Sequence, residues 1–206
     1  MRRQLLFIAV VTFVASVAAE PPPSDPFESV DWPASMRKEP TKGITLGTFR
    51  VEFEKTTLSE VQHAAKVGAI EQRGDAAEHI LWLCYSATRG EGLERIWIIS
   101  SGEMGGPEHA ITDVAAQRRK SGTAPSDCPS LPPGMQPATM DERVWLGSTE
   151  AELERNFGPP SHSQGAWRSY FFTKDVSGDC MEGNSLDIKL EGGRVAELNA
   201  GQITSC

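Results

Sequence analysis

The chain of 206 residues carries 28 acidic against 20 basic side chains, a formal charge of -8. That surplus repels phosphate backbones and excludes nucleic acid as an expected partner. Four cysteines, Cys84, Cys128, Cys180 and Cys206, occur with no C-x-x-C pair, which excludes the common zinc and redox-cycling motifs and leaves two structural disulfides as the expectation.

The first nineteen residues, MRRQLLFIAVVTFVASVAA, place Arg2 and Arg3 ahead of an apolar run and end in Val17-Ala18-Ala19, small residues that suit a signal peptidase. The run from Leu5 to Val14 is too short to span a bilayer and no second one follows, so residues 1–19 read as a cleaved export signal and not as an anchor. No cysteine follows the cleavage region to accept a lipid. The expected mature chain is soluble, periplasmic or secreted, without stable membrane insertion. Its formal charge is -10, because residues 1–19 hold two arginines and no acid.

Residues 20–42 contain six prolines and few periodic apolar positions, so they are expected to form a disordered arm, with Trp32 available to tack it to the surface. A first α+β repeat is expected over 43–116, a Pro-rich linker over 117–139 and a second α+β repeat over 140–206. The repeat rests on two capping boxes, Thr57-Leu58-Ser59-Glu60 and Thr149-Glu150-Ala151-Glu152, 92 positions apart. At the same offset Val61 matches Leu153, Ala65 matches Phe157, and Phe53 matches Trp145. Each i, i+4 pair gives a short helix one apolar stripe. The helices run into Gly68 and Gly158, the expected stop signals.

Strand-like runs follow each helix in the same order: HILWLCYS against AWRSYFFT, RIWIIS against SLDIKL, and HAITDVAA against RVAELNA. The expected architecture is α+β, two tandem lobes that each combine a helix or helix pair with an antiparallel meander, packed together because units of this size are marginal alone. A single larger α+β domain is the alternative. In the last hairpin a two-residue Gly192-Gly193 loop would pair Ile188 with Glu197 and mix apolar and polar on both faces. A three-residue loop ending at Arg194 pairs Leu190 with Ala196, Ile188 with Leu198 and Leu186 with Ala200 on one face, and Lys189 with Glu197 on the other.

The stretch SSGEMGGPEH, Ser100 to His109, falls where that Gly-Gly turn lies in the second repeat and reads as an enlarged hairpin loop, with Met104 available to a partner. A catalytic reading takes Ser100 or Ser101 as nucleophile, His109 as base and Glu103 or Glu108 as orienter, without a G-x-S-x-G elbow. A metal site from Glu103, Glu108 and His109 lacks H-E-x-x-H spacing and a fourth ligand. The run from Asp175 to Leu186 resembles a calcium loop at alternate positions but has Cys180 where glycine is required and Leu186 where glutamate is required. His63, His79 and His162 have no linking pattern. No catalytic residue, metal or cofactor is assigned.

Parallel placement in the two repeats suggests Cys84 with Cys128 and Cys180 with Cys206. In the first repeat Trp97 and Ile99 load the sheet face opposite Ile96 and Ile98, so a second apolar face must meet the other lobe, the N-terminal arm or a separate molecule. Trp82, Tyr85, Trp97, Met104, Trp167 and Tyr170 are the candidate binding residues, aromatics being typical of interface centres.

GSTEAELERNFGPPS followed by WRSYFFT and LDIKLEGGRVAEL resembles the SmpA/OmlA domain of outer-membrane-assembly lipoproteins, a helix pair on a three-stranded meander. Two such units in one disulfide-bearing chain resemble the layout of the β-lactamase-inhibitory-protein family, whose paired sheets form a protein-binding surface. The resemblance implies an exported, non-enzymatic binding module for another exported or envelope protein, of inhibitor or immunity type or an assembly accessory. A small exported hydrolase using Ser101 and His109 is the alternative.

Overall fold

The computed structural model describes residues 19–24, 36–74, 79–90, 92–102, 108–119 and 127–206. They form an α+β structure of two helices and two antiparallel sheets. In chain order the elements are β1 (Gly43–Leu46), β2 (Phe49–Glu52), α1 (Leu58–Ala65), β3 (Glu71–Arg73), β4 (Ile80–Arg89), β5 (Gly92–Ser101), β6 (Asp113–Arg119), β7 (Ala138–Met140), α2 (Glu150–Phe157), β8 (His162–Gln164), β9 (Trp167–Asp175), β10 (Met181–Glu191) and β11 (Arg194–Ser205).

Both helices begin where the capping boxes place them. Thr57 Oγ1 accepts from the Glu60 amide while Glu60 accepts from the Thr57 amide, and Thr149 and Glu152 repeat the arrangement. Val61, Ala65, Leu153 and Phe157 are all buried, so the apolar stripes face the core as spaced. Gly158 caps α2 at φ 77°, as its sequence position predicts. Gly68 does not cap α1. Lys66 takes the left-handed conformation at φ 59°, and its amide bonds the Gln62 carbonyl at 2.8 Å. Gly68 serves a close approach instead, since a Cβ there would stand 3.2 Å from the Tyr85 ring.

The large sheet has eight strands in the order β3-β4-β5-β6-β11-β10-β9-β8, and the small one has the order β2-β1-β7. A helix followed by four strands thus occurs twice, and the two sets of strands meet where β6 pairs with β11, with Val114 opposite Ala200 and Ala116 opposite Leu198. The edge strands β3 and β8 were not anticipated. Each is three residues long and largely polar, too short and too weakly periodic to register as a strand. One face of the large sheet packs against both helices and the small sheet in a single core that draws Leu83, Ile96 and Ile98 from one half and Leu186, Ile188 and Leu198 from the other.

The β10–β11 hairpin joins the two loop readings. Leu186 faces Ala200, Ile188 faces Leu198 and Lys189 faces Glu197, as the apolar pattern demands. Near the turn the register shifts between Lys189 and Leu190, so Leu190 pairs with Val195 and not with Ala196, and a two-residue Gly192-Gly193 turn at φ 58° and 72° closes the ribbon. A one-residue bulge reconciles a tight positive-φ turn with the register that buries the apolar face.

Parts of the Pro-rich segments pack on the body of the protein. Within the arm, Glu20 packs on the body, and Asn184 donates to the Thr41 carbonyl at 2.7 Å. Trp32 lies outside the described residues. Within 117–139, Gln117–Arg119 finish β6, Leu131 and Met135 are buried, and Ala138–Met140 form β7. These described parts need no core of their own, because they complete the core of the sheets they cross. The disulfides are Cys84–Cys128 and Cys180–Cys206.

Candidate functional site

The loop that joins β5 to β6 brings Ser100 and His109 together. Ser100 Oγ lies 2.5 Å from His109 Nδ1 and donates to the Ala110 carbonyl at 2.8 Å. The one hydroxyl proton of Ser100 can go to that carbonyl or to His109 Nδ1, and the His109 tautomer follows from which it takes. Ser100 is also 1% exposed, so its hydroxyl is closed to a substrate.

Ser101, the alternative nucleophile, does not meet His109. Its Oγ lies 2.8 Å from Thr112 Oγ1 and donates to Asp113 Oδ2 at 3.1 Å, while its amide donates to Thr112 Oγ1 at 2.9 Å. These bonds tie the two ends of the loop together. The Asp113 carboxylate in turn reaches across to β11, where a Cβ on Gly201 would collide with Oδ1. Glu103, Met104 and Pro107 lie outside the described residues.

The aromatic candidates divide into three places. Tyr85 and Tyr170 are core residues: Tyr85 donates its hydroxyl to the Val67 carbonyl at 3.1 Å, and the Tyr170 ring centroid lies 5.4 Å from that of Phe157. Burial raises both phenols, Tyr170 to about 12. Neither is presented to a partner, which corrects their assignment as binding residues. Trp82 and Trp97 do lie on the opposite sheet face, with Cys84, Ile99 and Ala115, and with Ala19 and Cys128 packed in the same cluster they are 4% and 1% exposed. Ala19 is the last residue of the leader-like segment and Cys128 precedes β7, so the apolar cover on this face comes from those two places and not from the arm over 20–42. Trp167 is half-buried, with Lys189 Nζ 5.9 Å from its ring centroid.

The cover is held by charge. Glu20 forms ion pairs with Arg95 and, at 3.0 Å, with Arg119, and its carbonyl accepts from Trp97 Nε1 at 2.9 Å. The Arg95 guanidinium lies 5.8 Å from the Trp97 ring centroid and is depressed below its usual range, first by burial and then by Arg119.

A groove of 1210 Å³ opens between the edge strand β2 and the outward side of α1. Phe49, Ala64 and Val67 supply apolar surface there, and Arg50, His63 and Glu108 supply charge and hydrogen-bonding groups. Val67 is among the exposed large hydrophobic residues, at 39%. The composition of α1 alone could not reveal this surface, because it exists only where the helix runs beside β2. Glu108 brings the end of the Ser100–His109 loop to its rim.

Among the described residues no group of three His, Cys, Asp or Glu side chains is placed to hold a metal. In the calcium-like run, Cys180 is committed to its disulfide and Leu186 to the core. His79 gives its carbonyl to the Gly102 amide at 3.3 Å, and His162 begins β8. No helix among the described residues is long and apolar enough to cross a membrane. Comparison with protein-family models, with curated proteins and with solved structures finds no match.

Proposed function

We propose that the chain is an exported binding protein without catalytic activity, built from two copies of one helix-plus-meander unit, and that it holds an extended segment of another exported or envelope protein in the groove between β2 and α1. The groove carries this reading. β2 ends the order β2-β1-β7, so its outer side pairs with no described strand. Glu52 gives its amide to Thr56 Oγ1 and its carbonyl to the Lys55 and Thr56 amides, so an extended peptide would gain main-chain hydrogen bonds along the part of β2 before Glu52, with Phe49 and Val67 offering apolar surface for its side chains. The leader-like residues 1–19 and the two disulfides support an oxidising, extracytoplasmic location. The repeated order of helix and strands supports the duplication, and the proposed module serves an inhibitor, immunity or assembly role.

The Ser100–His109 contact is the one observation behind the other reading, the small hydrolase, against which stands the burial of Ser100. Both are tested with processed protein as bait in an envelope extract, alongside assays of ester and peptide cleavage. Groove binding predicts a captured protein that is lost with Ala64→Arg and retained with Trp167→Ala. Capture that depends on Trp167 and not on Ala64 moves the site to the sheet face. Turnover by the pure protein that disappears in His109→Ala reverses the ranking in favour of the enzyme.

A further inference from the structure

The backbone nitrogen of Glu20 donates to Asp127 Oδ2 at 3.0 Å. Residue 20 is also the first residue left if the leader is cut after Ala19, so this nitrogen would be the α-amine of the mature chain. We infer that Glu20 and Asp127 form a docking site for the newly made N-terminus, in which the α-ammonium pairs with the Asp127 carboxylate and fastens the start of the mature chain beside Trp97. The inference rests on the export reading above.

The covalent step is hydrolysis by a signal peptidase. Water adds across the Ala19–Glu20 peptide bond, Ala19 leaves with the new carboxylate, and Glu20 keeps the nitrogen, which takes up a proton at neutral pH. A single amide N–H becomes three ammonium N–H groups and gains a positive charge. The receiving carboxylate is suited to that change: one oxygen already bonds the nitrogen, and the other, Oδ1, is buried without a hydrogen-bond partner. An amide has no second hydrogen for it. An ammonium does, and charge-assisted bonds are roughly twice as strong as neutral ones.

The rest of the site grips the same residue. The Glu20 carboxylate meets Arg95 and Arg119, and its carbonyl takes the Trp97 indole N–H. Asp127 adjoins Cys128, whose disulfide to Cys84 pins it to β4. Every polar group of Glu20 therefore has a partner on the body, an unusual degree of fixation for a residue that composition places in a disordered arm. Processing removes Ala19 from the apolar cluster, and none of the Glu20 contacts involves Ala19.

The test uses the full chain, exported with its own leader and purified from the envelope fraction. Intact mass reports the first residue: a chain starting at Glu20 is expected, while a retained leader or a cut at another bond overturns the export reading and this site with it. The processed protein is then treated near neutral pH with an amine-reactive acetylating reagent, and the Glu20 α-amine is followed by peptide mass spectrometry. Docking predicts labelling at least tenfold slower in the folded protein than in urea, and recovery of fast labelling in Asp127→Asn. Should Asp127→Asn fold poorly, a glycine inserted between Ala19 and Glu20 displaces the amine by one residue and is expected to abolish the protection. Equal labelling of folded and unfolded chains, or protection unchanged in Asp127→Asn and in the insertion, overturns the docking while leaving export intact.

Discussion

Thr57 and Thr149 hold the same station in the two halves of the molecule. Each caps a helix through a reciprocal pair of bonds, and each forms an antiparallel bridge, Thr57 to Ala110 at the entry to β6 and Thr149 to Arg194 at the start of β11. The Ile111 amide donates to the Thr56 carbonyl at 2.8 Å and the Val195 amide to the Ser148 carbonyl at 2.9 Å, so one helix start is stitched to the entry of β6 and the other to the start of β11. Replacing an N-cap Thr by Ala costs about 1 kcal/mol. Thr57→Ala and Thr149→Ala share no hydrogen-bond partner and are expected to add, which urea unfolding of the two single variants and the double variant measures.

The two disulfides differ in loop length and in exposure. Cys84–Cys128 closes a separation of 44 residues and Cys180–Cys206 one of 26. Loop entropy alone assigns them about 4 and about 3.5 kcal/mol. Access separates them more sharply, because Cys84 and Cys128 are buried whereas Cys206 is exposed. Under native conditions dithiothreitol is expected to open Cys180–Cys206 first, read by alkylation and mass spectrometry, and loss of Cys84–Cys128 is expected to lower the unfolding midpoint further.

Glu94 is 2% exposed, accepts from Trp145 Nε1 at 3.1 Å and faces Arg89 Nε at 3.2 Å. Burial raises its carboxyl above the ordinary range and outweighs the opposing pull of Arg89 and Trp145. A raised folded pKa favours the protonated form in the folded state, so that stability is full below the unfolded pKa and is lost as pH rises through the folded one. Glu94→Gln keeps an acceptor for the indole without the charge. Its stability relative to wild type is expected to improve as pH rises above the ordinary glutamate range, followed by thermal unfolding across a pH series.

Gly68 at φ 94° faces the Tyr85 ring. Gly68→Ala adds both a strained backbone and a contact that the ring must yield to, so it is expected to destabilise by about 1–2 kcal/mol, whereas Tyr85→Phe removes only the bond to Val67 and costs about 1 kcal/mol. Chemical unfolding of both variants separates the two effects.

The readable parts of this fold were those with a local physical code. Thr57 and Thr149 are legible because a capping box needs only four consecutive residues, and Ile188 opposite Leu198 is legible because alternation fixes a hairpin register. Cys84 with Cys128 followed from the order of strands. What the sequence concealed depends on contacts between distant segments. Tyr85 and Trp97 look alike as aromatic strand residues, yet one enters the main core and the other lies beneath Ala19, and no local pattern distinguishes the two fates. Glu20, Arg95 and Asp127 are ordinary charges until the fold assembles them. His109 meets Ser100 and not Ser101 because alternation along β5 turns neighbouring hydroxyls to opposite sides.

The groove between β2 and α1 is tested most directly by photo-crosslinking from a benzophenone side chain placed at position 67, with one at position 167 as the comparison, in the processed chain within its native envelope. The account predicts an adduct to one partner protein from position 67, none from position 167, and loss of that adduct when Arg50→Pro spoils the β2 edge. A partner adduct from position 167 alone, or one from position 67 that survives Arg50→Pro, contradicts it.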